Sequence, residues 1–137
     1  MKRFLCILLA SIMCLIICSC SSKEAINYEV AEELDGTWTT TWDSDFGEME
    51  HIYKFNHNGK DTGTCEFINV WGGDVIVHYS SGVYMVKDGT ITMDFLSSED
   101  EYGNIEPLDS RITLTLTYTY EDSKLKVSDE FREFYQA

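Results

Sequence analysis

The sequence predicts one small all-β domain, an antiparallel up-and-down β-barrel of about eight strands, with a two-sheet β-sandwich as the alternative. Three observations carry this expectation. From Gly36 onward the apolar residues recur with a period of two, the mark of strands with one face in a core and one in water. Asn58-Gly59 and Asp88-Gly89 are dipeptides that accept positive φ and so suit tight hairpins. A single proline, Pro107, lies in the loop-like stretch "SSEDEYGNIEPLDS", leaving the alternating segments uninterrupted. Closing such a meander into a barrel removes its exposed edges.

The chain opens with "MKRFLCILLASIMCLIICSC". Lys2 and Arg3 form a basic start, and Phe4 to Cys18 is an apolar run with Ser11 as its one interruption. That run is shorter than the roughly 20 residues a spanning helix needs, and it suits a secretory leader over residues 1–19. Ile17-Cys18-Ser19-Cys20 resembles a bacterial lipobox. The resemblance implies a diacylglyceryl thioether on Cys20, cleavage before it, and lipid anchoring in a bacterial cell envelope, with the outer membrane the expected site. Cys14 and Cys18 follow bulky Met13 and Ile17 and fit less well. An ordinary cleaved signal peptide is the alternative.

Residues 20–35 read as a tether. Ser21 and Glu24 have capping-box spacing, and Ile26, Val30 and Leu34 form one helical stripe. Against a helix stand Glu32, Glu33 and Asp35 at the end where the helix dipole disfavours anions. One short helix packing onto the domain is the expectation.

The domain proper spans residues 36–137. In "GTWTTTW" the period of two sends Trp38, Thr40 and Trp42 inward, while Thr37, Thr39 and Thr41 face water. "MEHIYKF" places Met49, His51, Tyr53 and Phe55 on one face and Glu50, Ile52 and Lys54 on the other. Cys65 and Phe67 share a face in "TGTCEF", and "TITMDF" alternates through Ile91, Met93 and Phe95. "ITLTLTYTY" sends Ile112, Leu114, Leu116, Tyr118 and Tyr120 one way and threonines the other, before a short connection from Glu121 to Lys124. The acidic loop from Ser97 to Asp109 is expected to flank the open end.

Gly36-Thr37-Trp38, a Gly-x-Trp opening the first strand of a small antiparallel β-protein, resembles the lipocalin signature. The resemblance covers about residues 34–137 and implies an eight-stranded barrel with Trp38 at its closed end. It also implies an arginine from the last strand stacked over that tryptophan. Arg132, in "DEFREFYQA", is the candidate, and such a stack contributes roughly 1 kcal/mol or more. A Thr-Asp-Tyr-like second motif and a C-terminal helix are not found in the sequence.

Composition narrows the function. Loss of Lys2 and Arg3 with the leader takes the formal charge from −14 to −16 over the 117 residues after Cys20. So acidic a chain disfavours nucleic-acid partners and peripheral binding to anionic lipid, leaving the acyl chains on Cys20 as the membrane contact. A monomer is expected. Cys65 is the one thiol left in the body, read as a small buried hydrophobe, so neither an internal disulfide nor a four-cysteine metal site follows. His51, His57 and His78 do not by spacing make a metal site, and the turn "DSDFGE" supplies only half a calcium loop. No glycine loop, nucleophile elbow or cofactor motif is present, and no catalytic residue or cofactor is assigned. Trp42, Tyr53, Phe55, Phe67, Tyr118 and Tyr120 are the candidate lining of a cup for a small apolar ligand. A protein partner in or around the barrel is the other candidate. A structural or accessory lipoprotein with a filled core is the alternative function.

Overall fold

The computed structural model describes residues 26–100 and 103–137. The expected leader 1–19, the acylation site Cys20 and the Ser21–Glu24 capping pair lie outside these residues. Residues 26–34 are helical (α1). Eight strands follow: β1 (Gly36–Ser44), β2 (Gly47–His57), β3 (Thr62–Trp71), β4 (Val75–Lys87), β5 (Thr90–Glu99), β6 (Ile105–Glu121), β7 (Lys124–Ser128) and β8 (Glu133–Gln136). Each pairs antiparallel with its sequence neighbour, and β8 closes on β1. The architecture is therefore the up-and-down barrel rather than the sandwich.

The hairpins explain much of this order. Asp88 and Gly89 both take positive φ, the twist that two-residue connections between right-twisted strands require. Asp122 and Ser123 adopt the same conformation without a glycine. Because the strands alternate in direction, α1 and the turns at 58–61, 88–89 and 122–123 share one end of the barrel. The turns at 45–46, 72–74 and 129–132 and the connection between β5 and β6 share the other.

α1 closes its end. Asn27, Val30, Ala31 and Leu34 are buried, a stripe at spacings of three and four. Ile26, expected on that stripe, is 51% exposed, because the buried face runs through Asn27 and Ala31 instead. Asn27 Oδ1 accepts the Asp88 N–H (3.3 Å), and Asp35 Oδ1 accepts the His57 N–H (2.8 Å), pinning the helix to two turns. Glu32 and Glu33 in its last turn point to solvent, where water screens them from the helix dipole.

Register turns the alternation into rungs of inward-facing side chains. Trp42 lies opposite Met49, and Met49 opposite Trp71. Thr40, His51, Asn69 and His78 form the next rung, followed by Trp38, Tyr53, Phe67 and Ser80. Phe55, Cys65, Gly82 and Phe95 come below. Tyr53 stacks on Phe55 and Phe67 with centroids 6.2 and 5.0 Å away, and meets Phe134 edge-on at 5.1 Å. Gly82 sits where β4 and β5 shift register, and a Cβ there would lie 2.0 Å from the Asp94 carbonyl oxygen.

Pro107 is not in a loop. It belongs to β6 and lies opposite Ser97 of β5. Its missing N–H is tolerated because β7 pairs only with Thr117–Glu121, leaving the second edge of β6 free at that height.

Candidate functional site

Solvent access divides the interior. Towards α1 the inward-facing side chains are shielded: Trp38, Tyr53, Phe55, Cys65, Met93, Phe95 and Leu116 are all buried. Towards the opposite end they open to water. Trp42, Met49, His51, Phe67 and Asn69 are half-buried, and His78 is exposed. Ile112 faces inward opposite buried Phe95 and is still 41% exposed. The barrel is thus packed for most of its depth, and its inward-facing side chains become accessible to solvent at the end away from α1.

Trp42 stands at that end, with the Arg132 guanidinium carbon 3.8 Å from its ring centroid. Arg132 was expected over Trp38, and the register explains the difference. Gln136 pairs with Trp38 and Tyr135 with Thr39, so the antiparallel run carries Arg132 level with Trp42. Trp38 is sealed otherwise: its Nε1–H donates to the Leu34 carbonyl at 2.8 Å.

His51 stands edge-on between Trp42 (4.5 Å) and Phe67 (5.0 Å). Burial holds its pKa below the usual imidazole value, and the Arg132 charge adds to that shift, while Asp129 opposes both. It is therefore neutral at pH 7. Asn69 Oδ1 is shielded and meets no hydrogen-bond partner among the described residues. Among the described residues the Arg132 side chain forms no ion pair. Asp129 Oδ1 accepts the backbone N–H groups of Phe131 and Arg132, each at 2.7 Å, which fixes the turn presenting the guanidinium. His78 Nε2 and Ser80 Oγ are 2.6 Å apart. Ser80 is 2% exposed, so this pair orients His78 and does not offer a nucleophile to a substrate.

The rim is apolar. Phe46 and Phe131 are more than 80% exposed, and Trp71, Val75 and Ile76 are also exposed. Trp71 Nε1–H donates to the Phe46 carbonyl at 2.6 Å, tying the turn between β1 and β2 to β3.

The six expected lining residues separate. Trp42 and Phe67 are half-buried toward the open end. Tyr53 and Phe55 lie deeper, in the packed core. Tyr118 packs against the core and Tyr120 is 45% exposed, both toward the α1 end, because β6 runs from the mouth to the helix. Asn69 and Trp71 were missed as residues of the open end. Continuing the alternation from Cys65 and Phe67 would have placed Asn69 and Trp71 on the same face.

Two clefts lie elsewhere. One, of about 900 Å³, opens between β7 and β8 beneath α1 over Trp38, Leu125, Val127 and Phe134. It exists because β7 and β8 pair only at Val127–Phe134 and Ser128–Glu133. Its floor residues Trp38, Val127 and Phe134 are at most 3% exposed, so little apolar surface is left there for a ligand. The other, of about 510 Å³, reaches Lys54, Thr64, Val83 and Leu96 around the Gly82 irregularity. Among the described residues no group of three His, Cys, Asp or Glu side chains converges as a metal site, and no helix is long and apolar enough to cross a membrane. No known family model, curated protein or solved structure matches the chain.

Proposed function

We propose that this chain is a lipid-anchored bacterial envelope lipoprotein whose lipocalin-like barrel binds a small, largely apolar ligand in the mouth cup. The observation that carries the reading is the change in solvent access along the interior. Inward-facing Trp42, Phe67 and Ile112 stay accessible at one end of an otherwise sealed core. A concave apolar surface with a few polar groups is the usual form of a small-molecule site, and Asn69 Oδ1 adds a shielded acceptor with unmet hydrogen-bonding capacity. Anchoring rests on the Ser19-Cys20 motif.

The two parts are tested separately. Cys20→Ala should abolish detergent partitioning and processing of the leader; normal acylation of that variant would refute the anchor. A neutral apolar fluorophore should bind the wild-type chain, and Trp42→Ala should weaken it at least about fivefold while Trp38→Ala acts mainly on stability. A second reading, an accessory lipoprotein with a filled core, is favoured by the stacked set Tyr53, Phe55, Phe67 and Phe134. Absence of probe binding by the wild type would select it.

A further inference from the structure

We infer that the ligand of the mouth cup carries an anionic head group, of which a carboxylate is the best match, and that Arg132 is the residue that receives it. The inference rests on the ligand-binding reading above and adds the chemical class. The Arg132 guanidinium carbon lies over the Trp42 ring, 3.8 Å from its centroid, so the charge is held against the indole before any ligand arrives. Among the described residues no hydrogen-bond acceptor meets its side-chain N–H donors, which leaves them for a ligand. Among the described residues no carboxylate forms an ion pair with it, although the chain carries 24 acidic residues against 10 basic ones. The nearby acid, Asp129, spends Oδ1 on the backbone of its own turn. A cation kept unpaired and stacked at the lip of an apolar cup is a receptor for a charge that comes from outside.

The surroundings narrow the class further. Next to Arg132 stand Trp42, His51 and Phe67 in ring contact. The ligand is therefore an amphipath, with its head at Arg132 and its apolar part over these rings. The strongly negative chain favours a head of single charge over a doubly charged phosphate monoester.

The test compares octanoate, octyl phosphate, octanol and octylammonium by calorimetry on the full chain reconstituted in phosphatidylcholine nanodiscs, with empty nanodiscs as the blank. Octanoate should bind roughly tenfold or more tightly than octanol, as a charge-assisted contact implies, and octylammonium most weakly. Arg132→Gln should erase the octanoate advantage and leave octanol binding in place. Arg132→Lys, which keeps the charge and loses the fork, should fall between. Octanol equal to octanoate in the unaltered chain would overturn the inference while sparing the cup. So would an octanoate advantage that survives Arg132→Gln in a variant with native circular dichroism. Octyl phosphate binding more tightly than octanoate would overturn the carboxylate assignment. Failure of all four to bind would instead overturn the ligand-binding reading itself.

Discussion

The stack of Arg132 on Trp42 can be measured as a coupling energy. A guanidinium 3.8 Å above an indole, with both side chains half-buried, falls between the exposed and desolvated limits of a cation–π contact, so about 1 kcal/mol is expected. Trp42→Leu removes the π-face and keeps an apolar side chain, and Arg132→Gln removes the charge and keeps most of the stem. Urea unfolding followed by far-ultraviolet circular dichroism, on the two single variants and the double, gives the interaction term directly. The companion cycle pairs Arg132→Gln with Trp38→Leu. Trp38 is buried and donates to the Leu34 carbonyl, so its replacement alone should cost about 3 kcal/mol, yet it should couple to Arg132 by less than about 0.3 kcal/mol. Coupling of Arg132 to Trp38 larger than its coupling to Trp42 would refute the register argument.

Three further outcomes follow from the packing. Gly82→Ala should destabilise by about 1–3 kcal/mol, read from the urea midpoint, because its Cβ would meet the Asp94 carbonyl oxygen at 2.0 Å and a paired strand must move. A neutral result would mean that the strands part freely there. Tyr84→Phe should stabilise by about 1 kcal/mol, since the Tyr84 hydroxyl is buried without a hydrogen-bond partner among the described residues and its desolvation is unrepaid; a loss of similar size would reveal a partner. His51 supplies a pH test. Its folded pKa is depressed below 6.5 by burial, so the unfolded chain binds the proton first. Stability should fall as pH drops from about 6.5 through the folded value. That slope should shrink in His51→Gln, and an unchanged slope would place the titration elsewhere.

Much of the fold was legible because each strand carries its own instructions. The threonines of "ITLTLTYTY" and "GTWTTTW" alternate with apolar residues, so facing is decided within a strand by a period of two. The hairpin dipeptides Asn58-Gly59 and Asp88-Gly89 decide the connections locally as well. The cup was legible only in part. Trp42 and Phe67 could be assigned an inward direction, and so could Tyr53, Phe55, Tyr118 and Tyr120, but direction does not say how deep in the barrel a side chain lies.

Depth is a property of register and strand direction, which depend on the neighbouring strands. Arg132 is the plain case. The sequence placed it in the last strand near a tryptophan, and only the pairing of Gln136 with Trp38 and Tyr135 with Thr39 made that tryptophan Trp42. Pro107 is another: its neighbours read as a loop, and it became strand because one edge of β6 stays free. By itself the sequence determined the alternation, the turns, the inward set and the acidity, each fixed by contacts between residues close in the chain. The tertiary structure decided which inward residues share a rung, which rungs α1 seals, and which remain open, because those depend on how strands slide past one another before their backbone hydrogen bonds lock.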